Sequence, residues 1–364
     1  MGQAPSAPVL DKEDESGENT RVAYAMTAMQ GWRDSMEDAH TAKLKLGDDD
    51  HNTFFAVYDG HADESIVSKF ASESVWQKLK ANEAYASKDY SKAFVDAFLA
   101  TDAEIRANNL VEETGGATAV AMIYTTDDEI FVANAGDSRC VLSSMGHAKP
   151  LSTDHRPELE AEKARIMKAG GFVSEDNRVN GLLAPSRALG DFFYKQRGDL
   201  PPTEQMVTAE PEIVVHQVTA EDEFVVVACD GIWDVFSSQE VVDSVRRMIA
   251  LGASLQDCAN RLVDASLSPQ FGGIGCDNMT IIVCALLQGL SLEGWAARIK
   301  ERVEKGEGRL TPEQLPVTFS PIHQAEAREE WARIRAEKEA NKDLNRPPSP
   351  VTIHKIAIPA SLFT

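Results

Sequence analysis

The sequence is short of positive charge: 36 Lys and Arg face 58 Asp and Glu over 364 residues, a formal charge of −22. Nucleic-acid binding runs on neutralising phosphates with cations, so that class is disfavoured. Apolar runs long enough to span a membrane are missing, as is a basic start followed by an apolar core, so neither an anchor nor a secretory signal is read. The five cysteines (Cys140, Cys229, Cys258, Cys276 and Cys284) form no CxxC pair. They read as free thiols in a reducing compartment, cytoplasmic or nuclear. No Gly-Lys dipeptide occurs, which excludes the GxxxxGK[ST] phosphate loop. None of the cysteines is followed six residues later by Arg, which excludes a cysteinyl-phosphate route.

What is present divides along the chain. Residues 1–20 are rich in Pro, Ser, Gly and acid with almost nothing to bury, and read as a flexible acidic arm. Met1-Gly2-Gln3-Ala4-Pro5-Ser6 fits the pattern for myristoylation of Gly2, which would give only weak, reversible membrane association. Residues 21–289 form the main domain and carry nearly all of the negative excess. Residues 290–343 are a charged helical extension with few apolar anchors, among them Trp295, Ile299 and Trp331, and 344–364 a tail with no packing pattern. A monomer is expected.

Within the main domain, short runs rich in β-branched and aromatic residues predict strands at 53–58, 119–124, 129–135, 212–218, 223–228 and 279–287. Apolar residues at three- and four-residue spacing predict helices at 65–80, 91–109, 159–169, 239–251 and 254–266. Neighbouring strands with no helix between them argue for antiparallel sheets with helices outside.

The informative feature is where the aspartates stand. The run ending at Tyr58 leads into Asp59-Gly60-His61, that ending at Ala135 into Gly136-Asp137-Ser138-Arg139, and that ending at Cys229 into Asp230-Gly231-Ile232-Trp233-Asp234. Asp277-Asn278 precedes another strand, and Arg33 and Glu37-Asp38 lie ahead of one more. Singly, Asp-Gly after a strand is an ordinary turn. Gathered at one rim, so many carboxylates would repel one another unless they bound cations. Oxygen ligands without thiolate pairs favour Mg²⁺ or Mn²⁺.

The segments Arg33-Asp34-Ser35-Met36-Glu37-Asp38-Ala39-His40, Val57-Tyr58-Asp59-Gly60-His61, Ala135-Gly136-Asp137-Ser138-Arg139, Ser186-Arg187-Ala188-Leu189-Gly190-Asp191, Cys229-Asp230-Gly231-Ile232-Trp233-Asp234 and Cys276-Asp277-Asn278-Met279-Thr280 occur in the order found in the metal-dependent protein serine/threonine phosphatases of the type 2C class. The chain resembles that family over about residues 21–288. The resemblance implies an α+β fold, a central β-sandwich of two antiparallel sheets flanked by helices, with two Mn²⁺ or Mg²⁺ ions and a weaker third in a cleft at one end. It makes Asp59 the bridging carboxylate and Gly60 a backbone-carbonyl ligand. Glu37, Asp230 and Asp277 complete the pair of sites, with Asp38 in or beside them. Asp137, Asp230 and Asp234 surround the third ion.

On the same resemblance Arg33 clamps the phosphate of a phosphoprotein substrate, and a hydroxide bridging two metals attacks phosphorus without a phosphoenzyme. His61 is the candidate general acid for the departing serine or threonine oxygen, or else a donor that orients Asp59. Arg187 contacts the substrate or orders its loop, and Thr118 is open in the same way. The chain departs from the family pattern at Ala62 and Asp63, where glycine is usual, at Pro185 and at Ala117. An alternative follows from Ala62: a catalytically weak member that binds phosphoproteins as a scaffold.

Overall fold

A computed structural model describes residues 5–48, 50–62, 65–111 and 114–344. Gly2, Asp63, Glu64 and nearly all of the 344–364 tail lie outside the described residues. The strands are β1 (Val9–Glu18), β2 (Val22–Gly31), β3 (Ala39–Lys43), β4 (Thr53–His61), β5 (Gly116–Tyr124), β6 (Glu129–Ala135), β7 (Arg139–Ser144), β8 (His147–Pro150), β9 (Leu189–Gly190), β10 (Glu212–Gln217), β11 (Asp222–Ala228) and β12 (Met279–Leu286). The helices are α1 (Ile66–Ala81), α2 (Glu83–Ala86), α3 (Tyr90–Ala107), α4 (Glu160–Lys168), α5 (Asp230–Trp233), α6 (Ser238–Ala250), α7 (Leu255–Ser266), α8 (Leu292–Lys305) and α9 (Pro321–Leu344).

The central strands read as continuous apolar runs because both of their faces are buried. On β11, Phe224, Val226 and Ala228 face α6 and α7, while Val225 and Val227 face the second sheet. On β4, Phe54, Ala56 and Tyr58 pack toward α1 and α3, and Phe55 and Val57 enter the space between the sheets. The result is two sheets, ordered β1-β2-β12-β11-β7-β8 and β10-β6-β5-β4-β3, with β9 attached to β5 and every neighbouring strand pair antiparallel. This is the expected helix-flanked sandwich.

The N-terminal arm is a correction. Residues 9–18 form β1, registered on β2 from Gly31 to Ala23, and they lie at the edge of the first sheet. Backbone pairing needs no apolar side chains, and the acids find partners: Lys12 reaches Asp264 at 2.9 Å and Asp14 accepts from Gln256 at 2.9 Å.

The helical extension packs on the first sheet's outer layer. Trp295 is fully buried with its Nε1 donating to the Glu223 carbonyl at 2.8 Å, and Trp331 sits edge-on to Trp32 at 5.6 Å. Trp295, Ile299 and Trp331 share one apolar cluster with β11, α6 and α7. Among the described residues no helix is long and apolar enough to cross a membrane, and all five cysteines are free thiols.

Topology gathers the aspartates. The chain crosses between sheets from β2 to β3 through Arg33, Glu37 and Asp38, and from β6 to β7 through Gly136, Asp137 and Ser138. β11 ends where its antiparallel neighbour β12 begins, with Ala228 opposite Ile281, so Asp230 and Asp277 meet. Both crossings and both strand ends fall at one rim.

Candidate functional site

A cleft of about 680 Å³ opens at that rim, lined by Arg33, Asp59, Gly60, His61, Thr118, Asp137, Asp230, Asp234 and Asp277. Arg139, Asp154 and Arg156 line it too, and Arg178 with Leu182, Leu183, Ala184 and Pro185 supplies the wall contributed by the long segment between β8 and β10. Eight of the residues singled out from the sequence for catalysis or metal binding therefore share one surface: Arg33, Asp59, Gly60, His61, Asp137, Asp230, Asp234 and Asp277.

Asp38 lies beneath, buried, with Oδ2 accepting from Thr280 Oγ1 at 2.6 Å and Oδ1 without a hydrogen-bond partner among the described residues. Ligand-capable atoms of Asp38, Asp59 and Cys229 lie within 4.8 Å of one another. Burial and then Asp38 and Asp59 push the Cys229 thiol well up. Glu37 is half-buried, and it meets the site by its backbone. Its N–H donates to Asn278 Oδ1 at 2.8 Å, and its carbonyl packs so closely on Gly60 that a Cβ there would collide with it and with the Ser68 hydroxyl. Only glycine allows that approach.

Burial and mutual repulsion dominate the electrostatics. Asp59 is pushed well above the carboxylate range by burial, then by Asp230, Asp38, Asp277 and Asp137. Asp230 is raised the same way by burial, Asp137, Asp277 and Asp234. Burial takes Asp38 to about 7 and, with Asp154, takes Asp137 to about 6. Asp234 is raised by burial against the pull of Arg156. Carboxyls that resist ionising beside an orphaned buried oxygen, in an all-oxygen donor set, fit hard divalent cations. Arg33 keeps its charge despite burial because Asp277, Asp59 and Asp230 favour it.

His61 ends β4, and its Nε2 lies 2.8 Å from Oδ2 of Asp191, a residue that is fully buried. Thr118 is buried at the cleft with its hydroxyl 3.1 Å from that of Ser138. Arg187 is a correction to the substrate-binding expectation. Its guanidinium is spent on Glu162 at 2.7 Å and the Glu210 carbonyl at 3.0 Å, and it does not line the cleft. An arginine serves a buried carboxylate as readily as a phosphate, and here it orders the loop.

Sequence reasoning missed three contributors. Asp154 grips Arg139 with both oxygens, at 2.6 and 2.8 Å. Asn278 ties the β2–β3 crossing together by donating to Gln30 and Ser35. Asp191, the last residue of the Ser186–Asp191 segment, reaches His61 at 2.8 Å.

Comparison with known proteins agrees with this geometry. The family model described as protein phosphatase 2C matches residues 22–272. A protein phosphatase 2C homolog 2 from Hypocrea jecorina is 46% identical over 322 residues, covering 86% of this chain and 73% of the relative. One of the same name from Schizosaccharomyces pombe is 43% identical over 335 residues and 90% of each chain. Among solved structures, a phosphatase from Toxoplasma gondii shares the fold with a TM-score of 0.65 at 24% identity, over 76% of this chain and 96% of that one.

Proposed function

The chain belongs to the protein phosphatase 2C family and is a protein serine/threonine phosphatase, and from that premise we propose that it releases phosphate from phosphoserine and phosphothreonine by direct attack of water, with no phosphoenzyme. The observation that carries this reading is the crowd of carboxyls around Asp59, too close and too buried to stay ionised without cations.

Asp59, the Gly60 carbonyl, Glu37, Asp38, Asp230 and Asp277 would hold two Mn²⁺ or Mg²⁺ ions, and Asp137, Asp230 and Asp234 a third. When bound, such ions would lower the pKa of a coordinated water and neutralise the phosphoryl oxygens. Arg33 does the protein's own share of phosphate binding: its planar fork matches two phosphate oxygens, and Asp277 fixes its position. His61 stands at the rim beside Asp59 and donates a proton to the leaving serine or threonine oxygen, which is a poor leaving group without one. The long segment between β8 and β10 supplies the wall against which a protein substrate lies.

The test is phosphate release from a phosphothreonine peptide with Mn²⁺, with EDTA, and with Asp230→Ala. Activity with Mn²⁺ that is abolished by EDTA and by the substitution is expected. An inactive wild type, or activity indifferent to EDTA, would sink the reading.

A further inference from the structure

Three strands place one bare backbone position between two functional side chains. Gly116 of β5 lies opposite His61 of β4 and opposite Gly190 of β9. A Cβ on Gly116 would collide with the Asp191 carboxyl and with His61 Nε2. The carboxylate that follows β9 therefore reaches across β5 to the imidazole, and only a glycine between them leaves room.

Asp191 is held there at some cost. Its φ of +52° lies in the left-handed region, which is unfavourable for a residue with a Cβ. Its N–H donates to the Gly115 carbonyl at 2.8 Å, and the preceding Gly190 N–H donates to Asp102 of α3 at 2.8 Å. Asp102 also accepts from Lys195 at 2.7 Å, and Lys195 donates to the Ala188 carbonyl at 2.8 Å. The second oxygen, Oδ1, is buried and has no hydrogen-bond partner among the described residues. A strained, fully buried carboxylate whose side chain is committed to one imidazole is expensive for a merely structural link.

We propose that Asp191 is the positioning residue of the proton donor: through its contact with Nε2 it fixes the orientation of the His61 ring for delivery to the leaving oxygen. The proposal rests on reading His61 as the general acid. The 2.8 Å contact engages Nε2, so the proton delivered to the leaving oxygen comes from Nδ1 of the doubly protonated ring. The same contact steadies the ring as it gains and loses its proton, as carboxylates behind functional histidines do elsewhere.

The experiment compares wild type, Asp191→Asn, His61→Ala and the double variant, all loaded with Mn²⁺, on a phosphothreonine peptide and on p-nitrophenyl phosphate, whose leaving group needs no proton. Asp191→Asn is expected to lose about 10- to 100-fold on the peptide and far less on the aryl ester. In the His61→Ala background it should cost nothing further. Equal losses on both substrates, or a full additional loss in the double variant, would overturn the proposal and leave Asp191 a structural link. If His61→Ala itself loses equally on both substrates, the general-acid reading falls and the proposal falls with it. Should Asp191→Asn not accumulate folded, Asp191→Glu, which keeps the charge and moves it, is read by the same comparison.

Discussion

Arg33 Nη2 and Asp277 Oδ2 are joined by a 2.5 Å hydrogen bond across 244 positions of sequence, so the phosphate clamp is anchored to one of the carboxylates proposed to hold metal. The two functions are thereby kept in register. Arg33→Ala should raise KM for a phosphopeptide and lower kcat/KM by roughly 10- to 100-fold, the worth of a hydrogen bond to a charged group. Arg33→Lys should recover only part of it, since a point charge cannot grip two oxygens. Unchanged KM in both variants would remove Arg33 from phosphate binding.

Ala62 has a φ of +63°, where an L-residue is strained. Replacement by glycine should stabilise the protein by about 1 kcal/mol or less, because relief of that strain is partly offset by the entropy of the unfolded glycine. The check is the urea midpoint. A fall in the midpoint would mean that the Ala62 side chain makes a needed contact. Phosphatase rates measured alongside bear on the weak-member alternative, which gains support if the glycine variant is far more active than the wild type.

Glu162 of α4 pairs with two arginines, Arg165 on the same helix and Arg187 beyond it, each at 2.7 Å. Burial opposes its charge, but the hydrogen bond from Arg187 and the charges of Arg165 and Arg187 hold its carboxyl down at about 2. Because the folded value lies below the unfolded one, this stabilisation is complete above about pH 4.5 and is lost as pH falls toward 2. Burial likewise holds His155 neutral, down at about 4, and its share is lost as pH falls from 6.5 through that value. Glu162→Gln should cost about 3–5 kcal/mol at neutral pH, as breaking a buried pair does. The difference from wild type, read by urea unfolding with EDTA present, should shrink between pH 4.5 and 2. A pH-independent difference would contradict this account.

Trp331 of α9 packs on Trp32, the residue before Arg33, and Trp32 donates from Nε1 to the Ser268 carbonyl at 3.0 Å. Trp331→Ala should destabilise by about 3–5 kcal/mol, seen as a lower melting temperature. If Trp32 transmits the loosening to its neighbour, KM for the phosphopeptide rises as well. An unchanged melting temperature would show that α9 is not part of the cooperative unit.

Central strands such as β4 and β11 were legible because two buried faces write an unbroken apolar run, and the aspartates stood out because they interrupt it. β1 was not legible: an edge strand is held by its backbone and needs no apolar pattern, and Asp11, Glu13 and Asp14 look like a solvated arm. β2, with its alanines, carries too weak a β signal to be read locally. The metal carboxylates were readable from motif order, whereas the Asp191–His61 contact spans 130 positions and depends on the register of β9 on β5. Arg187 misled because the residue type does not say which anion it serves, and Glu162 sits 25 positions earlier.

β1 leaves one consequence for the molecule in company. The exposed edge of a sheet is a template on which another chain can add a strand. This edge bears Asp11, Glu13 and Glu18, exposed, beside Asp14 and Glu15, which are engaged by Gln256 and His40, against a single lysine, so a second copy approaching it would meet like charge. The acidic N-terminal strand thus acts as a guard against edge-to-edge aggregation.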